Sequence, residues 1–85
     1  MTTVTVYTKD DCGFCYQTKK LLTTMHVLFN EAKIGTDVTR EELLEVAPNA
    51  KTVPQIVINH KVIGGYDDLL EYIENTGWNG SGSGY

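Results

Sequence analysis

The chain has 85 residues, two cysteines, seven basic and eleven acidic side chains, and a formal net charge of -4. That length makes one small domain, near the size at which a single core barely suffices, and two cysteines cannot supply the disulfide framework of small secreted domains. The acidic balance opposes the basic footprint that nucleic acid selects, and no apolar run approaches the roughly 20 residues of a membrane span. No signal pattern opens the chain, so a cytoplasmic monomer with neither nucleic acid nor membrane as partner is expected.

Thr3 to Tyr7 alternates β-branched and aromatic residues and predicts a first strand. A polar stretch, Thr8-Lys9-Asp10-Asp11, leads into Cys12-Gly13-Phe14-Cys15. Phe14, Thr18, Leu21, Leu22 and Met25 then recur at helical spacing, which predicts a helix opened by the two cysteines and running to Met25. A thiol at a helix N-terminus meets unpaired backbone N–H groups and the positive end of the dipole. Such placement lowers a cysteine pKa from about 8.5 to between roughly 3.5 and 7.5. Cys12 is the candidate nucleophile, with Lys9 adding positive charge and Asp10 and Asp11 opposing it. Cys15, on the same helix face, is the candidate resolving thiol. In a reducing compartment such a pair is read as catalytic or metal-binding before structural. His26 falls near the helix end, where an imidazole complements the dipole.

Leu28 to Ile34, bounded by Gly35, predicts a second strand, parallel to the first because a helix joins them. Thr39 and Glu42 have the spacing of a capping box, and Val38 and Leu43 that of a hydrophobic staple. A short helix is expected from about Thr39 to Val46, stopped by Pro48. Thr52 to Ile58 predicts a third strand carrying Pro54 at its start, where proline is tolerated. Asn59-His60 is the length of a tight hairpin, so Lys61 to Ile63 becomes an antiparallel fourth strand.

Gly64-Gly65 breaks that strand, and Asp67 or Asp68 opens a last helix that Gly77 ends, with Asp68 and Glu71 at capping-box spacing. Gly64-Gly65-Tyr66-Asp67-Asp68 reads either as a turn with an N-cap or as backbone that approaches a ligand carboxylate. Domain 1–77 is then followed by a Gly/Ser-rich stretch, 78–85, that reads as a flexible tail, from which Trp78 could still pack on the domain.

The order βαβαββα, with a C-x-x-C opening the first helix and Thr-Val-Pro opening the third strand, is the thioredoxin-like α/β pattern: a four-stranded mixed sheet flanked by three helices. Within it, Tyr7-Thr8-Lys9, Thr52-Val53-Pro54-Gln55 and Gly64-Gly65-Tyr66-Asp67-Asp68 resemble the signatures of glutaredoxins, over roughly residues 3 to 76. The resemblance implies a glutathione-dependent thiol-disulfide oxidoreductase with Cys12 as nucleophile and Cys15 as resolving thiol. It implies a cis-proline at Pro54 that sets the Val53 backbone against the glutathione cysteine. Phe14 and Thr52 would flank the tripeptide, Gly65, Tyr66 and Asp67 would hold its γ-glutamyl end, and Lys9 and Lys51 its glycyl carboxylate. Glutathione and disulfide or glutathionylated proteins, ribonucleotide reductase among them, would be the partners.

The dipeptide between the cysteines departs from the Pro-Tyr of many dithiol glutaredoxins. Gly13-Phe14 is similar to the monothiol class, which binds iron-sulfur clusters with glutathione, so a dimer bridging a [2Fe-2S] cluster through Cys12 is the alternative function. The close spacing of Lys9 and Cys12 and the absence of a Trp-Pro near Pro54 resemble the dithiol class instead. A redoxin that takes electrons from thioredoxin reductase for ribonucleotide reductase is the other enzymatic reading; the glutathione-like Gly65-Tyr66-Asp67 segment speaks against it. His26 and His60 do not complete a zinc spacing with the cysteines.

Overall fold

A computed structural model describes residues 2–80. Seven elements follow in order: β1 (Val4–Thr8), α1 (Gly13–Thr24), β2 (Asn30–Lys33), α2 (Arg40–Val46), β3 (Gln55–Ile58), β4 (Lys61–Gly64) and α3 (Tyr66–Thr76). They form one four-stranded sheet in the order β2-β1-β3-β4. β1 pairs parallel with β2 and antiparallel with β3, and β3 pairs antiparallel with β4. This is the mixed thioredoxin-like sheet that the element order predicts, with three helices around it.

The sheet's period of two divides its residues between two layers. Val4 lies opposite Ile58 and Val6 opposite Ile56, and all four are buried. With Leu22, Val27, Leu69 and Trp78 they make the main core, on the face where α1 packs against α3. Gln55 and Val57 point the other way and are also buried, as are Leu43 and Ala47 of the α2 segment. β3 is therefore covered on both sides, which is why it reads as a nearly continuous apolar run.

The caps show how local chemistry sets the boundaries. The Thr39 hydroxyl accepts from the Glu42 N–H, and the Glu42 carboxylate accepts from the Thr39 N–H, so the expected capping box forms. The hairpin turn also forms, with positive φ at both Asn59 and His60, the primed geometry that matches strand twist. Asn59 further accepts from the Thr3 N–H through its side chain and donates its own N–H to the Thr3 carbonyl, tying the turn to the start of β1.

Other boundaries move. β1 is shifted one residue toward Thr8, β2 begins at Asn30 with Leu28 left 92 % exposed, and β3 begins only after Pro54. α3 starts at Tyr66 rather than at either aspartate. Its N-cap is Gly65, whose N–H donates to the Asp68 carboxylate, so Asp68 caps backward instead of pairing with Glu71. Gly64 has φ +120°, and a Cβ there would run into that same carboxylate, which makes glycine obligatory at the join.

His26 closes α1 from the left-handed region, φ 60°. Its N–H donates to the Thr23 carbonyl while the Val27 N–H donates to the Leu22 carbonyl, the double bond pattern of a Schellman cap. The residue read as a complement to the dipole is thus the residue that turns the chain. Left-handed backbone costs a β-carbon residue about 1–2 kcal/mol, of which the greater unfolded-state freedom of glycine takes back a part. His26→Gly is expected to raise stability by about 0.5–1 kcal/mol, read from the urea midpoint. An unchanged or lower midpoint would contradict this account of the cap.

Trp78 is only 5 % exposed, and its ring meets Tyr72 at 6.1 Å between centroids. Gly80, at φ +90°, comes so close to Val27 that a Cβ there would overlap the valine. The packed chain therefore extends past the expected boundary at residue 77; the remainder of the Gly/Ser stretch, 81–85, lies outside the described residues.

Candidate redox site

β1 delivers the chain to the active loop through a polar tether. The buried Thr8 hydroxyl donates to Glu31 Oε2 at 2.7 Å, and Lys19 Nζ meets the same oxygen at 3.0 Å, linking β1, β2 and α1. The Thr8 hydrogen bond first, and the Lys19 hydrogen bond second, hold the Glu31 carboxyl below the usual carboxylate range. Just beyond β1, Asp10 pairs with Lys33 at 3.1 Å. That pair is exposed and modest in strength. It nonetheless gives one of the two carboxylates beside Cys12 a cationic partner away from the sulfur.

Cys12 is the N-cap of α1, with its sulfur accepting from the Cys15 N–H at 3.1 Å. The two cysteines are joined as a disulfide, with Cα atoms 5.2 Å apart. Their surroundings differ sharply. Cys15 is 2 % exposed and packed into the helix base, whereas Cys12 is half-buried and its Sγ lies 3.8 Å from the Val53 carbonyl oxygen across the loop. The Val53-Pro54 peptide bond is cis, as the resemblance implies. Gln55 anchors this loop from behind: its buried side-chain amide donates to the Thr52 carbonyl at 2.9 Å.

Phe14 stands apart from the rest of its helical stripe. Helical spacing puts it on the stripe of Thr18 and Leu22, which are fully buried, yet Phe14 is 61 % exposed. It sits in the first turn of α1, and its ring meets that of Tyr66 at 6.0 Å between centroids.

Two depressions flank the Thr52-Val53 segment. One, about 340 Å³, holds Cys12, Gly13, Phe14, Thr52 and Val53 with Lys9, Lys51 and Arg40, over Ile34, Leu43, Leu44 and Ala50. The other, about 310 Å³, holds Phe14, Thr52, Val53, Pro54 and Gln55 with Gly65, Tyr66, Asp67 and Asp68. Apart from Cys15, which lies buried beneath Cys12, every site residue singled out from sequence lies on one of two adjoining surfaces, the cationic one containing Cys12. Arg40 was missed. Its only sequence signal is a cation at the first position of a helix, where an acidic residue is the dipole's preference. Among the described residues no three His, Cys, Asp or Glu side chains converge as a metal site, and no helix is long and apolar enough to cross a membrane.

Comparison with known proteins agrees with this geometry. Residues 4–63 match the family model described as glutaredoxin. The chain is 43 % identical over 70 residues to glutaredoxin 3 of Escherichia coli K12, covering 81 % of this chain and 83 % of that one. Among solved structures it is similar to wheat glutaredoxin, with 34 % identity, a TM-score of 0.72 and coverage of 85 % of this chain and 69 % of that one. It is also similar to a buckwheat glutaredoxin–glutathione complex, with 26 % identity, a TM-score of 0.75 and coverage of 87 % and 70 %. A dithiol pair on a thioredoxin-like frame, matched by these relatives across most of its length, makes this chain a member of the glutaredoxin family and a thiol-disulfide oxidoreductase.

Proposed function

We propose that the chain reduces glutathione mixed disulfides and protein disulfides with glutathione as co-substrate, in the cytoplasm and as a monomer. The observation that carries this reading is the opposite charge of the surfaces on either side of Cys12 and Val53. Lys9, Arg40 and Lys51 rim one, and Asp67 lies on the other beside the N-terminus of α3. A tripeptide with a free carboxylate at its glycyl end and an ammonium and a carboxylate at its γ-glutamyl end complements both at once. Its cysteine then rests between them, against Cys12.

In the reduced enzyme the Cys15 N–H and the N-terminus of α1 stabilise Cys12 as thiolate. That thiolate attacks the glutathione sulfur of a mixed disulfide and the other thiol leaves. A second glutathione then attacks the sulfur of the bound glutathione, releasing glutathione disulfide and restoring Cys12. For a protein disulfide, Cys12 forms the mixed disulfide, Cys15 attacks Cys12, and the substrate departs as a dithiol. The resulting Cys12–Cys15 bond, the state seen here, is reduced by two glutathione molecules.

The burial of Cys15 suits an internal attacker and prevents it from meeting substrate first. Cys15→Ser is accordingly expected to keep at least about a third of the turnover on a small glutathione mixed disulfide and to lose protein disulfide reduction by more than about a hundredfold. Coupling to glutathione reductase and following NADPH reads both. Equal loss of the two activities would contradict the division of labour, and no turnover by folded wild-type protein would contradict the use of glutathione. For the [2Fe-2S] alternative this chain offers Cys12 as its accessible sulfur, so two chains and added glutathione would have to complete a cluster.

A further inference from the structure

The cationic cleft is larger than a glycyl residue can use. Beneath the rim of Lys9, Arg40 and Lys51 lies an apolar floor of Ile34, Leu44 and Ala50, all only partly buried, in a depression of about 340 Å³ that opens directly beside Cys12. Glycine has no side chain to cover that floor. Under the proposed glutathione orientation, on which this inference rests, the γ-glutamyl end points to Tyr66 and Asp67. Whatever follows the ligand cysteine toward its C-terminus is then directed over Ile34 and Leu44.

We propose that this cleft is a specificity site for protein disulfide substrates, selecting segments in which the attacked cysteine is followed by an apolar residue and then an acidic one. The apolar side chain covers Leu44 and Ile34, and the carboxylate one residue farther out meets Arg40. Charge complementarity commits the occupant: among the described residues three cations and no carboxylate line the cleft, so a basic segment is repelled there. Burial of a single aliphatic side chain, even if incomplete, is worth about one factor of ten in rate when it is made in the mixed-disulfide transition state.

The step is a balanced exchange. The Cys12 thiolate of a Cys15→Ser protein attacks the peptide sulfur of a peptide–thionitrobenzoate disulfide, one S–S bond forms as another breaks, and the coloured thionitrobenzoate anion leaves because its thiol is the more acidic. Three acetylated peptides, identical except for Cys-Leu-Glu, Cys-Gly-Glu or Cys-Leu-Lys, are compared, each normalised to its reaction with free mercaptoethanol. The first should react about tenfold faster than the second and about fivefold faster than the third. Leu44→Ala should reduce the leucine preference to about twofold, and Arg40→Glu, at an exposed helix start that accepts an acidic residue, should invert the Glu over Lys preference. Normalised rates equal for all three peptides, or preferences unmoved by both variants, would overturn the proposal. Oxidised glutathione is run beside them: its failure to modify Cys12 would overturn the underlying glutathione reading instead.

Discussion

Cys12→Ser is expected to remove the proposed activity on both glutathione mixed disulfides and protein disulfides, a loss of more than about a thousandfold in kcat/KM, because no other group can form the mixed disulfide. Cys15 cannot substitute, since it is 2 % exposed beneath the helix start and an incoming disulfide cannot reach its sulfur. The serine hydroxyl would still accept from the Cys15 N–H as an N-cap, so folding is preserved and the loss is chemical. The coupled NADPH assay, run on protein whose circular dichroism matches wild type, reads it. Retained turnover of even a tenth would move the nucleophile elsewhere.

The second large effect is on stability. Trp78→Ala is expected to cost about 3–5 kcal/mol, the range for emptying a buried aromatic site. A domain of this size holds only about 4–13 kcal/mol in total. The ring belongs to the core cluster with Leu22, Val27 and Leu69, and its loss opens a void in that cluster and removes the ring that Tyr72 packs against. Urea unfolding followed by circular dichroism should show a much lower midpoint with little change in slope. A cost below about 1 kcal/mol would return Trp78 to the tail in which its neighbours' composition places it.

That residue illustrates where sequence reading stops. Composition arguments average over a window, and the Gly/Ser run after Trp78 hides a ring whose partners, Val27 and Tyr72, lie elsewhere in the chain. What was legible was local. Thr39 with Glu42 and Asn59 with His60 each carry their own hydrogen-bond or dihedral logic, and each forms. The C-x-x-C at a helix start was legible for the same reason, and so was the cis bond before Pro54 once the three motifs were matched to a family.

Depth and distance were not legible. Periodicity shows which stripe Phe14 belongs to but not how deep each member lies: Thr18 and Leu22 are buried, while Phe14, assigned to the site through the family resemblance alone, is exposed. Gly65 has no side chain to announce a cap, which let Asp67 and Asp68 attract the predicted helix start past Tyr66. Arg40 reaches the Cys12 cleft only because α2 folds over the sheet, and nothing in its own neighbourhood marks it as different from a solvated helix residue. Asp10, read as opposing the thiolate, is paired with Lys33 across the β1–β2 edge, a contact that only the parallel register creates.

The most direct test of the account is to mix the Cys15→Ser protein with oxidised glutathione and map the product by mass spectrometry. The account predicts one glutathionyl group per chain, on Cys12, and in wild type its displacement by Cys15 to leave the Cys12–Cys15 disulfide. Folded protein with a free Cys12 thiol that takes up no glutathione would contradict it.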